Sequence, residues 1–122
     1  MPGKPTVLIV DDDAGIRETM SDILTLEGYN VVTASGGHEA VQLCTKQHFD
    51  FALLDIRMPD MNGVETLREI KRVDPAVRAI MITGYDVGAL AMQAMDAGAE
   101  AVFRKPLDVA SFLPLLMASE EG

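Results

Sequence analysis

The stretch TVLIVDDD, residues 6–13, joins a strand to the start of a site. Its first five residues are aliphatic or β-branched without interruption, which is typical of a strand buried on both faces. Three aspartates follow at once. A buried strand that ends in carboxylates indicates a ligand site, because open α/β sheets bind ligands at the carboxyl ends of their strands.

The same alternation of apolar run and helical pattern continues along the chain. Apolar residues at helical spacing predict a first helix from Ala14 to Glu27, and Gly28 suits its left-handed C-terminal cap. Further strands are predicted at 30–34, 49–54, 77–82 and 101–103, and further helices around 40–44 and 64–70, over 86–97, and from 108 to about 117. Five strands that alternate with five helices predict an α/β fold, a doubly wound parallel sheet with helices on both faces.

Size and charge narrow the class of protein. The 122 residues suit one domain over 1–122, with 119–122 as a frayed tail or the start of a linker. A formal net charge of -9 argues against direct nucleic-acid binding, which needs basic patches. Because Cys44 is the single cysteine and the first apolar run is too short to span a bilayer, we expect a cytoplasmic protein without a membrane segment.

Polar residues follow four of the five predicted strands. Asp11 and Asp12 follow the first, Asp55 the third, Thr83 the fourth and Lys105 the fifth. Carboxylates suit a divalent cation such as Mg²⁺, and a hydroxyl with an ammonium suits phosphoryl oxygens. A carboxylate can also accept a phosphoryl group covalently, and the central position of its strand favours Asp55 for that role.

Several other residues that carry reactive or polarizable groups have simpler interpretations. His38 and His48 lack ligand spacing and are interpreted as surface residues. Cys44 is predicted to be a small core residue, and Met92 and Met95 are predicted to be packing residues.

Four motifs in order and spacing, IVDDD, LLDIRMPDMNG, MITGY and FRKPL, resemble the receiver domain of bacterial two-component response regulators. The resemblance implies a flavodoxin-like, CheY-like sheet with strand order 2-1-3-4-5. It implies that Asp55 takes a phosphoryl group from the phosphohistidine of a sensor histidine kinase or a phosphotransfer protein. The domain then switches conformation to control an effector domain or an output protein, and it is not an enzyme acting on a separate substrate.

The resemblance also assigns a role to each member of the site. It implies Mg²⁺, with Mn²⁺ as an alternative ion, held by the carboxylates of Asp11, Asp12 and Asp55 and by the backbone carbonyl of Arg57. It implies phosphoryl contacts from Thr83, Lys105 and the backbone of Gly84.

The chain departs from the family pattern at two positions. Val102 stands three residues before the lysine, where the family usually has an aromatic residue. Because neighbouring strand residues point to opposite faces, Phe103 does not take its place. Pro114 interrupts the last predicted helix and alters a common dimerisation surface, so the oligomeric state stays open.

Two other classes of protein compete with this interpretation. A haloacid-dehalogenase-like phosphatase would use the D-x-D pair Asp11 and Asp13, although Asp13 also suits the N-cap of the first helix. A receiver-like interaction module would normally lose the acceptor or metal acids, and here all are present.

Overall fold

Nine helices and strands alternate along the part of the chain that the computed structural model describes, residues 5–55, 62–83 and 88–104. The strands are β1 (Thr6–Val10), β2 (Asn30–Ala34), β3 (Phe51–Asp55), β4 (Arg78–Thr83) and β5 (Ala99–Arg104). The helices are α1 (Ala14–Leu26), α2 (Gly37–Lys46), α3 (Gly63–Val73) and α4 (Gly88–Asp96). The fifth predicted helix, 108–117, lies outside the described residues.

The strands form one parallel sheet in the order β2-β1-β3-β4-β5. The predicted α/β class, doubly wound sheet and strand order are therefore confirmed. β3 lies at the centre, where Leu54 pairs with Val10 of β1 and Asp55 pairs with Ile82 of β4. The last residue of β3 consequently emerges between the ends of β1 and β4.

Each face of the sheet has its own apolar core, because alternate strand residues point to opposite sides. On one side, Leu8 and Met81 belong to the cluster that also contains Cys44 of α2 and Leu67 of α3. On the other side, the cluster comprises Val7, Ile9, Phe51, Leu53, Ile80 and Ile82 with Met20, Leu24 and Tyr29. Helices therefore cover both faces, and Cys44 is a buried core residue as predicted.

α1 begins and ends with the capping residues that the sequence predicts. The Oδ1 atom of Asp13 accepts hydrogen bonds from the backbone N–H groups of Gly15 at 2.8 Å and Ile16 at 3.1 Å. At the other end, Gly28 has a φ of 96°, which a glycine adopts at little cost. The helix stops at Leu26, one residue earlier than predicted.

Strand limits differ from the prediction because pairing with a neighbour decides where a strand begins. β3 was predicted to start at 49 but starts at Phe51, the residue that pairs with Arg78 of β4. β5 runs for six residues rather than three, since Ala99 already pairs with Ala79 before an irregularity in the register. Pairing partners are not visible in the local sequence.

The two methionines of α4 are exposed, contrary to the prediction that they are packing residues. Met92 is 72% exposed and Met95 is 49% exposed, while Ala94 between them is buried. With Asp96, Ala101 and Val102 they line a groove of about 400 Å³ between α4 and β5. Helical spacing placed them near each other, but no part of the described fold covers them.

His48 links loops at the amino edge of the sheet. Its Nε2 atom lies 3.3 Å from Oδ1 of Asp50, and its Nδ1 atom contacts Oδ2 of Asp74, the C-cap of α3. Asp50 also accepts a hydrogen bond from the N–H of Thr6 at 2.9 Å. The hydrogen bond with Asp74, aided by the charges of both aspartates and opposed by burial, raises the pKa of His48. The side chain is half exposed, as expected for a surface histidine.

Candidate metal and phosphoryl site

Three carboxylates meet at the carboxyl edge of the sheet. They belong to Asp11 and Asp12, which follow β1, and to Asp55, which ends β3. One carboxylate oxygen of each lies within 4.8 Å of the others. Asp11 is 3% exposed and Asp55 is 6% exposed, whereas Asp12 is exposed. The fold therefore brings the three predicted carboxylates together in one cluster, with Asp11 and Asp55 buried and Asp12 exposed to solvent.

Asp11 is held in place by bonds from three directions. Its N–H donates to the carbonyl of Ala34 at the end of β2, at 3.2 Å. Its Oδ1 atom accepts from the N–H of Asp13 at 2.9 Å, and its carbonyl accepts from Nη1 of Arg17 at 2.6 Å. The sequence interpretation overlooked Arg17. The available signal was that Arg17 is the one basic residue of α1 and stands four to six residues after the three aspartates.

Asp13 does not belong to this cluster. The acidic cluster found among the described residues comprises Asp11, Asp12 and Asp55, and the Asp13 carboxylate bonds to the first turn of α1. The two aspartates of the D-x-D pair that the phosphatase alternative requires therefore have different structural roles. Asp13 caps α1, and Asp11 belongs to the acid cluster.

The register of the sheet places Thr83 at the same edge. Asp55 pairs with Ile82, so Thr83 stands one residue beyond the partner of Asp55 on the neighbouring strand. Thr83 pairs in turn with Arg104, the last residue of β5. The remaining predicted members of the site, Lys105, Gly84 and Arg57, lie outside the described residues.

The cluster fits a hard divalent cation. Three carboxylates this close repel one another, and a bound cation relieves that repulsion. The donors are all oxygens, which suits Mg²⁺ or Mn²⁺, whereas structural zinc sites usually use cysteine and histidine. Two buried carboxylates and one exposed carboxylate also leave an open side, and Mg²⁺ keeps several waters that need such a side.

Comparison with known proteins agrees with this chemistry. The chain matches the family model of the response regulator receiver domain over residues 7–116. It is 36% identical to sporulation initiation phosphotransferase F of Bacillus subtilis over 103 residues, which are 84% of this chain and 83% of that protein. Several other curated relatives are longer, and the chain spans about a quarter of the length of two of them, a cyclic di-GMP phosphodiesterase of Thermotoga maritima and the transcriptional regulatory protein ZraR of Salmonella typhimurium.

Solved structures of similar proteins share the fold. A CheY-like receiver domain protein from Methanospirillum hungatei superposes with a TM-score of 0.91 at 33% identity, covering 98% of this chain and 99% of that chain. A response regulator from Burkholderia pseudomallei, described with a phosphorylated aspartic acid, a calcium ion and citrate, has a TM-score of 0.87 at 28% identity and covers 98% of this chain and 74% of that chain.

These comparisons, the sheet order and the acid cluster converge on one assignment. Receiver domains act with kinases, phosphotransfer proteins and effectors. Within the described ranges, each helix falls short of the length and hydropathy that crossing a membrane requires. The chain belongs to the response regulator receiver domain family, the phosphoryl-accepting signalling domains of two-component systems.

Proposed function

We propose that this chain takes a phosphoryl group onto Asp55 from the phosphohistidine of a sensor histidine kinase or a phosphotransfer protein. The position of Asp55 carries the proposal. It ends the central strand, it is 6% exposed, and its carboxylate lies within 4.8 Å of those of Asp11 and Asp12. In the transfer, a carboxylate oxygen of Asp55 bonds to phosphorus as the bond from phosphorus to the histidine nitrogen breaks.

The proposed ligands of Mg²⁺ are the three clustered carboxylates together with the backbone carbonyl of Arg57. When bound, the cation neutralises charge on the carboxylates and on the phosphoryl oxygens. Asp11 is a constrained ligand because its backbone and its carboxylate are both hydrogen-bonded. Asp12 is the most accessible, since its side chain is exposed.

Thr83, Lys105 and the backbone N–H of Gly84 are proposed to contact the phosphoryl oxygens. The sheet register supports Thr83, which follows the pairing partner of Asp55. Positive charge and hydrogen-bond donors aimed at these oxygens stabilise the charge that develops during transfer. Lys105 directly follows Arg104, the residue that pairs with Thr83.

Phosphorylation is proposed to shift the population between two surfaces and so to control an effector domain or an output protein. The groove between α4 and β5, with its exposed Met92 and Met95, is the surface that we propose changes. We place this reaction in the cytoplasm, which suits the free thiol of Cys44. With a net charge of -9, the domain itself is not proposed to contact nucleic acid.

The test uses acetyl phosphate as a small donor, with the product followed by intact mass. In MgCl₂ the protein should gain the mass of one phosphoryl group, and EDTA should prevent the gain. Asp55→Asn should lose it. Asp22→Asn, the same substitution at an exposed aspartate of α1, is the control and should label like the wild type.

Two outcomes would contradict the assignment of Asp55. One is a mass gain that persists in Asp55→Asn, which would place the acceptor elsewhere. The other is steady hydrolysis of a generic phosphate ester that depends on both Asp11 and Asp13, as the phosphatase alternative requires.

A further inference from the structure

Arg17 reaches the acid cluster from the side of α1. It is the fourth residue of that helix, and its Nη1 atom donates to the backbone carbonyl of Asp11 at 2.6 Å. A hydrogen bond from a charged donor at this distance is among the stronger kinds. It spans six residues and joins the helix to the residue that follows β1.

The bond fixes more than one atom. A peptide group is planar, so the carbonyl direction of Asp11 also sets the direction in which the chain enters Asp12. Two other hydrogen bonds already fix Asp11: its N–H donates to the carbonyl of Ala34, and its carboxylate accepts from the N–H of Asp13. The Asp12 side chain is exposed and is surrounded by less protein than those of Asp11 and Asp55. Its position therefore depends most on the orientation of the peptide group that precedes it.

The charge of Arg17 and its hydrogen bond have opposite effects on a bound cation. A positive charge near the cluster repels Mg²⁺, so removing that charge alone should tighten binding, by less than about fivefold for a partly exposed group. Removing a bond that orients a ligand should weaken binding, and outer partners of metal ligands typically contribute about 10–100-fold. The direction of the change therefore separates the two effects.

We propose that Arg17 is a positioning residue, which orients Asp11 and Asp12 for Mg²⁺ through the carbonyl of Asp11. This inference rests on the proposed function of the cluster as a cation site. It adds to the ligands and phosphoryl contacts a residue that touches neither the ion nor the phosphoryl group.

The experiment measures Mg²⁺ affinity by calorimetry, without a phosphodonor, on the full chain. Arg17→Met should bind about tenfold more weakly than the wild type. Arg17→Lys keeps the charge and a donor but loses the planar fork, and its affinity should fall between the two. Arg68→Met removes the same charge from an exposed site on α3 and should bind as the wild type does. If Arg17→Met does not fold, the loss of affinity in Arg17→Lys carries the test.

Labelling by acetyl phosphate separates a positioning role from a purely structural one. If Arg17 positions the ligands, Arg17→Met should need more Mg²⁺ to reach half of the maximal rate, while the rate at saturating Mg²⁺ stays near that of the wild type. Lower thermal stability with unchanged Mg²⁺ affinity, or tighter binding in Arg17→Met, would overturn the inference.

A second measurement needs no metal. Hydrogen exchange of the Asp13 amide, which donates to Asp11, should become about tenfold faster in Arg17→Met and stay unchanged in Arg68→Met. If the wild type binds no Mg²⁺, the proposed function fails and this exchange rate alone decides whether Arg17 holds the turn. If the wild type binds Mg²⁺ and both measurements leave Arg17→Met unchanged, only the inference about Arg17 fails.

Discussion

Val102 and Phe103 are consecutive residues of β5, and their side chains pack on opposite sides of the sheet. Val102 packs against the cluster formed with α2 and α3, and Phe103 packs against the cluster formed with α1. The ring of Phe103 therefore does not reach the α4 side, as the strand alternation predicted.

This arrangement predicts an unequal tolerance to substitution. Val102→Tyr should change the free energy of unfolding by no more than about 1 kcal/mol, because the added ring can occupy the groove beside Met92. Phe103→Val should cost about 1–2 kcal/mol, since it removes part of a packed ring. Urea denaturation measures both changes. A loss of more than about 3 kcal/mol in Val102→Tyr would mean that the groove does not admit the ring.

Asp13 should matter for stability and not for metal. Asp13→Ala removes the acceptor of two N–H groups and should lower the free energy of unfolding by about 1 kcal/mol. Asp13→Asn keeps a capping oxygen and should stay close to the wild type. Both variants should retain the Mg²⁺ affinity of the wild type in calorimetry. Loss of binding in Asp13→Asn would make Asp13 a ligand.

The acid cluster should be a source of instability until it holds a cation. Without metal and at low salt, Asp12→Asn should unfold at a higher temperature than the wild type, because it removes one of three mutually repelling charges. Mg²⁺ at ten times its dissociation constant should stabilise the wild type by about 1.4 kcal/mol, and the variant by less. Thermal unfolding in EDTA and in MgCl₂ checks both statements. A wild type that is indifferent to Mg²⁺ would contradict them.

His48 should stabilise the fold more strongly in mild acid than in base. Its folded pKa is raised above the ordinary value of 6.5, mainly by the hydrogen bond with Asp74. The stabilisation is therefore complete below pH 6.5 and is lost as the pH rises through the folded pKa. His48→Gln should be destabilised relative to the wild type at about pH 6 and much less so at about pH 9.

His38→Gln, the same substitution at the other histidine, is the control. Urea denaturation across this pH range gives the free energies of unfolding, and the difference between the two variants measures the contribution of the contacts that His48 makes with Asp50 and Asp74. A His48→Gln penalty that grows with pH would reverse the sign and contradict the role of Asp74.

The sheet and the acid cluster follow from features that are local in the sequence. A five-residue apolar run that stops at carboxylates identifies both the strand and its functional end, and Asp13 is recognisable as a cap because it directly precedes a helical pattern. Other features depend on contacts between distant segments. The start of β5 is decided by the pairing of Ala99 with Ala79, and the exposure of Met92 by what packs on α4.

The bond from Arg17 to Asp11 illustrates the same limit. It joins two residues six positions apart, across the turn between β1 and α1. A sequence pattern shows that an arginine is present on the helix. It does not show which oxygen that arginine meets.

Cys44 gives the chain a practical advantage for spectroscopy. It is the sole thiol, it is buried, and burial together with the charge of Asp74 raises its pKa to about 11. A thiol of that pKa is almost wholly protonated at neutral pH and reacts slowly with alkylating dyes. In a Met92→Cys variant the introduced thiol would therefore take up a fluorophore alone, and the label could report on the groove between α4 and β5 without first removing Cys44.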